Sequence, residues 1–214
     1  MTGPGRIVIL NGAPRSGKSS IVAVIQQDFA GAWMNLGVDV HAMQVTPPRY
    51  RPGIGLRPGT DRPEVAALVP TLYAALYDSI AAHSRLGLNV VADVGHHAAA
   101  PAGRAMLADC ARRLAGLPVL FVGVRCPIEA IMQRRNAGQA GREGAYLTGS
   151  AAEPVPAPVL RWQSEAHAPG LYDLEVDTGT LTSRACAEQI RARLETGTPP
   201  PTAFDRLAHG AGPT

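Results

Sequence analysis

Eight consecutive residues, Gly12-Ala13-Pro14-Arg15-Ser16-Gly17-Lys18-Ser19, fit G-x-x-x-x-G-K-[ST] at every fixed position. An apolar run, Arg6–Asn11, precedes them, and a segment of amphipathic helical periodicity follows. That context restricts the fold, because a loop of this kind works only between a strand and the helix it opens. The glycines allow a tight turn whose backbone N–H groups converge on phosphate oxygens, and the helix adds its positive N-terminal end. Nucleotide contacts are therefore expected from Gly12, Ala13, Pro14, Arg15, Ser16, Gly17, Lys18, Ser19 and Ser20. Lys18 is expected on the β- and γ-phosphates, and Ser19 on Mg²⁺. The chain has nineteen arginines and this one lysine. A guanidinium is a broad plane that would not enter so narrow a loop, whereas an ammonium is a point charge on a flexible stem.

Short apolar runs alternate with longer periodic segments along the rest of the chain, the pattern of βαβ units and a parallel sheet. Strands are expected at Arg6–Asn11, Met34–Asp39, Asn89–Val94, Pro118–Val124 and Tyr172–Val176. Several are apolar throughout, as strands covered on both faces should be. Val65, Leu68, Leu72, Leu76 and Ile80 trace one face of a helix across Glu64–Leu86. Leu107, Cys110 and Leu114 trace another behind Pro101, and Cys186, Ile190 and Leu194 a third. The 214 residues suit one domain over 1–196 with a small lid at about 134–150. Residues 46–63, rich in Pro and Gly with four arginines, read as a long loop, and residues 197–214 as a mobile tail.

A net charge of +3 spread along the chain gives no basis for a nucleic-acid partner. No apolar run reaches the ~18–20 residues that span a bilayer, and no signal peptide is expected at the start. The three cysteines lack metal-ligand spacing and read as reduced thiols, which fits a cytoplasmic protein.

In parallel sheets the site lies beyond the carboxyl ends of the strands. Asp39 and Asp93 each end an expected strand there. Either could take a proton from an attacking hydroxyl or hold the metal. Val94 stands where motor ATPases carry a glutamate, and the guanine signature is impossible without a second lysine. Both features favour transfer to a small hydroxyl compound over hydrolysis. Arg134, Arg135 and Arg142 surround a Gly-rich turn and read as a cationic lid that neutralises the transferring phosphoryl group. Arg125 is placed on the nucleotide side, and His96 and His97 at the mouth, where they could contact the acceptor.

The pieces "ILNGAPRSGKSSIV", Trp33 followed by "GVD" at Gly37–Asp39, "VVADV", "FVGVRC" and "YDLEVDT" recur in an order that resembles the chloramphenicol 3-O-phosphotransferases and their relatives. The resemblance spans roughly Arg6 to Leu194. It implies a five-stranded parallel P-loop kinase fold with a small lid, ATP and Mg²⁺, and phosphorylation of an antibiotic hydroxyl that gives resistance. It also implies that Asp39 is the general base. The chain departs from the family pattern at Arg15, at Val94-Gly95-His96-His97, in the 46–63 loop and in part of the lid. The departures cluster where the acceptor should bind, so a nucleoside-type antibiotic suits the basic loop at least as well as a chloramphenicol-like one. A kinase of a metabolite, nucleoside or sugar is the alternative, and a non-enzymatic nucleotide switch a further one.

Overall fold

A computed structural model describes residues 3–51, 63–96, 101–138, 144 and 146–210. Five strands form one parallel sheet: β1 (Ile7–Asn11), β2 (Trp33–Asn35), β3 (Asn89–Val94), β4 (Val119–Arg125) and β5 (Leu174–Asp177). Their order is β2-β3-β1-β4-β5, which places β1 at the centre. Ile9 is in register with Ala92 of β3 on one side and Phe121 of β4 on the other.

Nine α-helices are described: α1 (Lys18–Asp28), α2 (Val38–Val40), α3 (Pro63–Ala66), α4 (Val69–Arg85), α5 (Pro101–Arg113), α6 (Ile128–Asn136), α7 (Ala157–Glu165), α8 (Ser183–Thr196) and α9 (Ala203–Ala208). Alternate side chains of each strand point to opposite faces. Ile7, Ile9, Val90, Ala92, Val94 and Phe121 meet α4, α5 and α9. Val8, Leu10, Val91, Leu120, Val122 and Val124 meet α1 and α8. With both faces covered the strands have no polar side to show, hence their continuous apolar runs. A smaller cluster of Ala13, Cys126, Ile131, Met132, Val159 and Ala166 seats α6 and α7 beside the loop that follows β1. Among the described residues, no helix is long and apolar enough to cross a membrane. All three cysteines are buried and unpaired.

The expected five-stranded parallel sheet is present, and three local expectations are corrected. The second strand stops at Asn35 instead of running to Asp39. The Asn35 Oδ1 accepts the Gly37 N–H at 3.1 Å, turning the chain out of the sheet, and Asp39 sits in the first turn of α2. The helix expected over Glu64–Leu86 is interrupted between α3 and α4, because Pro70 cannot donate the bond a continuous helix would need. Most of the 46–63 loop lies outside the described residues; Pro48–Tyr50 forms one 3₁₀ turn.

The third correction concerns the tail. Residues after Gly197 were expected to be mobile, yet α9 docks against α5 and β4. Phe204 is buried edge-on against Phe121, with ring centroids 5.1 Å apart. Asp173 holds the junction, accepting the Ala203 N–H at 2.7 Å and the Phe121 N–H at 2.9 Å; burial raises its pKa. Thr202 and Asp205 close a capping box at the helix start. Phe204→Ala is expected to lower unfolding free energy in urea by about 3 kcal/mol, the usual scale for emptying a buried aromatic site. A loss below ~1 kcal/mol would mean that α9 is not part of the folded core.

Candidate active site

β1 delivers the loop from Gly12 to Gly17 out of the most buried position in the sheet. Gly12 is obligatory there: a Cβ would stand 2.5 Å from the Val124 carbonyl oxygen. Gly17 takes a left-handed φ of 94°, and Arg15, unusually for a side chain of its size, one of 72°. Among the described residues no side chain caps the start of α1, which leaves its first N–H groups to an anion. Lys18 folds back over the loop, its Nζ donating to the Gly12 and Ala13 carbonyls at 2.8 and 2.9 Å. The Ser16 hydroxyl is buried without a hydrogen-bond partner among the described residues. An uncapped helix start, a bridging ammonium and an unsatisfied hydroxyl together suit a polyphosphate.

The loop opens onto a cavity of about 580 Å³. Beyond Lys18, Ser19 donates its hydroxyl to the Asp93 carboxylate at 2.7 Å, an arrangement of two hard oxygens that suits Mg²⁺. Chain packing fixes Asp93 here. Gly37 lies so close that a Cβ on it would come within 1.8 Å of the Asp93 Oδ1, which explains the glycine of "GVD". Asp39 reaches the same cavity from α2, alongside Val38, Tyr73, Val94, Gly95 and Tyr146. Thr178, Leu181 and Thr182, from the link between β5 and α8, and Ser183, which opens α8, also line it.

The expected cations separate. Arg134 lines the cavity, and its guanidinium donates to the Thr178 carbonyl at 2.8 Å, the Thr178 Oγ1 at 3.2 Å and the Arg15 carbonyl at 3.2 Å. Arg135 is 2% exposed and turns into the protein, donating to the Leu147 carbonyl at 3.2 Å. Its guanidinium lies 5.6 Å from the rings of Tyr146 and Trp162, which replace water as its environment. Arg125 does not line the cavity but pairs with Glu175 at the sheet edge, at 2.6 Å. That bond raises the arginine's pKa and lowers the carboxylate's. Arg142 and His97 lie outside the described residues.

His96 is buried beneath the mouth instead of lying exposed in it. Its ring packs on Tyr73 and Tyr77, and its Nε2 meets the Tyr77 hydroxyl at 3.3 Å. Its backbone N–H donates to the Asn11 Oδ1 at 2.9 Å. The Asn11 amide in turn donates to the Ala166 carbonyl at 2.7 Å and the Tyr172 hydroxyl at 3.1 Å, and that hydroxyl meets His167 Nδ1 at 3.0 Å. One asparagine at the end of β1 thus ties the segments that follow β3 and α7, and the one that leads into β5, to the base of the phosphate loop.

The sequence reading missed Thr178, Tyr73 and Tyr146. Thr178 follows the last strand directly, at the end of the sheet where sites occur, so its place was readable. Tyr73 reads only as a core residue of α4.

Burial lowers the His96 pKa to about 4, and burial followed by Arg125 lowers His167 to about 4. Both are therefore neutral in the folded chain at pH values where unfolded histidine is already charged. Their contribution is complete above pH ~6.5 and is lost as pH falls toward 4. His96→Gln removes one such group. Between pH 6 and 4.5, the difference in unfolding free energy between wild type and variant should change by roughly 1.4 kcal/mol per pH unit. A difference independent of pH would show that His96 is not buried as a neutral ring.

The sequence profile described as chloramphenicol phosphotransferase-like protein matches residues 5–195. A Mycobacterium tuberculosis (H37Rv) relative, named "Putative O-phosphotransferase Rv2636", is 28% identical, covering 95% of this chain and 88% of its own. Among solved structures, the Deinococcus radiodurans tunicamycin resistance protein superposes with a TM-score of 0.59 at 15% identity, over 92% of this chain and 99% of the other. The Mycobacterium tuberculosis APS kinase CysC, in complex with AMPPNP and APS, gives 0.57 at 16%, over 90% and 99%. Acinetobacter baumannii shikimate kinase, in complex with shikimate, gives 0.54 at 12%, over 91% and 94%. With its profile match running from before β1 nearly to the end of α8, the chain belongs to the chloramphenicol phosphotransferase-like family and is a small-molecule kinase.

Proposed function

We propose that this kinase moves the γ-phosphoryl group of ATP, in the presence of Mg²⁺, onto a hydroxyl of a small-molecule antibiotic in the cytoplasm, and so inactivates it. The observation that carries the reading is the shared cavity: Asp39 borders the same 580 Å³ space as Lys18, Ser19 and Asp93. A carboxylate and a phosphate cradle facing one volume are what transfer to an alcohol requires.

The loop amides and Lys18 hold the β- and γ-phosphates, spreading positive charge where negative charge grows. Ser19 and Asp93 would hold Mg²⁺, which when bound neutralises phosphate oxygens and fixes their geometry. Asp39 accepts the proton of the acceptor hydroxyl as its oxygen bonds to the γ-phosphorus, and the β–γ bridging oxygen leaves with ADP. Arg134 presents its donors at the phosphate end, although Thr178 and the Arg15 carbonyl already engage it. Arg135 supports the wall beneath Tyr146 and does not itself border the cavity. Val38, Tyr73, Val94 and Tyr146 would give an acceptor ring apolar and aromatic walls.

The antibiotic reading draws support from the family's name and from the likeness to the tunicamycin resistance protein. AMPPNP bound to the APS kinase supports ATP. Folds shared with the APS and shikimate kinases favour the second reading, a metabolite as acceptor. Incubation of the protein with ATP, Mg²⁺ and a panel of antibiotics and metabolites, followed by mass spectrometry for one added phosphate, decides between the two. If no panel compound gains phosphate while ATP still binds, the antibiotic reading fails. Asp39→Asn is expected to leave ATP affinity intact and cut turnover by ~10²–10⁴, the range for removing a general base. Undiminished turnover would take Asp39 out of the mechanism.

A further inference from the structure

Arg15 occupies one of the positions that the motif leaves open, and it is the described non-glycine residue with a positive φ. Its left-handed backbone costs an L-residue with a Cβ about 1–2 kcal/mol, a cost that glycine avoids. The side chain shows what offsets it. The Arg15 Nη2 donates to the Arg134 carbonyl and, at 3.0 Å, to the Gly138 carbonyl. Both carbonyls lie at the C-terminal end of α6, where backbone oxygens lack helical partners and carry partial negative charge. The guanidinium also lies 5.2 Å from the centre of the Tyr146 ring, which borders the cavity.

Arg134 returns the contact, its Nη1 donating to the Arg15 carbonyl at 3.2 Å. Each arginine therefore binds the other's backbone. The circuit continues through Thr178, which takes two donations from Arg134 and donates its own hydroxyl to the Ser16 carbonyl at 2.6 Å. The phosphate loop is thus held from outside at residues 15 and 16, by α6 and by the segment after β5.

We propose that Arg15 is a positioning residue: with Arg134 it forms a reciprocal clasp that sets the phosphate loop against the end of α6. Through that clasp, nucleotide occupancy of the loop and order at the α6 terminus are one coupled equilibrium. Two guanidiniums drawn to the rim of one cavity also favour a polyanion, so a bound nucleotide should tighten the clasp in return. The second half of this rests on the nucleotide reading above; the first half is a property of the unliganded chain.

Amide hydrogen exchange on Arg15→Ala, Arg15→Lys and Arg15→Gly tests the first half without nucleotide or acceptor. The amides of Ala137 and Gly138, which close on Gln133 and Arg135, should exchange about tenfold faster in Arg15→Ala and Arg15→Gly. Arg15→Gly relieves the backbone cost that Arg15→Ala keeps, so it should melt at a higher temperature than Arg15→Ala while losing the same protection. Lysine cannot span two carbonyls with a fork and should restore protection only partly. Unchanged exchange in Arg15→Gly overturns the clasp.

For the second half, calorimetry should find ADP and a non-hydrolysable ATP analogue weakened by a similar factor, about tenfold, in Arg15→Ala. A direct γ-phosphate contact would instead weaken the triphosphate selectively, and that result would overturn the positioning role. Arg15→Ala combined with Arg134→Ala should cost little more than the worse single change, because each removes half of one device. Additive losses would also count against it. If wild type binds neither nucleotide, the functional reading fails, while the exchange result still decides the clasp.

Discussion

A backbone amide can be aimed at an anion only if the chain on either side of it cannot move. β1 meets that condition at the centre of the sheet, hydrogen-bonded to β3 on one side and β4 on the other, with all five residues buried. Its last residue, Asn11, is polar yet 1% exposed, and spends its amide on α7, Tyr172 and the His96 backbone. The phosphate loop therefore leaves from a fixed point in a fixed direction. Lys18, Ser19 and Asp93 take their places relative to that point, and Asp39 relative to Asp93 through the close approach of Gly37.

How far the sequence disclosed this depended on how local each cause was. The phosphate loop was legible because its geometry is written in contiguous residues, with glycine at the positions that demand it. The sheet was legible because central strands covered on both faces leave apolar runs. Asp39 was assigned to the right end of the molecule and the wrong element. The turn that carries it depends on Asn35 bonding to Gly37 and on Asp93, more than fifty residues away. α9 was illegible for a related reason: six residues among prolines show no period, and their order comes from Phe121 and Asp173.

The arginines teach a similar lesson. From composition they form one group near a Gly-rich turn, yet within the structure each has a different employment. Arg134 ties the phosphate loop to Thr178, Arg135 is enclosed by aromatic rings, and Arg125 pairs along the sheet edge. Sequence supplies the charge, but packing decides whether that charge faces the ligand, the backbone or a ring. His96 makes the same point for histidine: its position beside the mouth was readable, its burial against Tyr73 and Tyr77 was not.

That nineteen of twenty basic side chains are guanidiniums has a practical corollary. Lys18 is the sole side-chain amine, so an isotope placed on lysine reports on the phosphate cradle alone, and an amine-selective reagent reaches it and the terminal amine. One resonance would then follow occupancy of the loop in the unmutated protein.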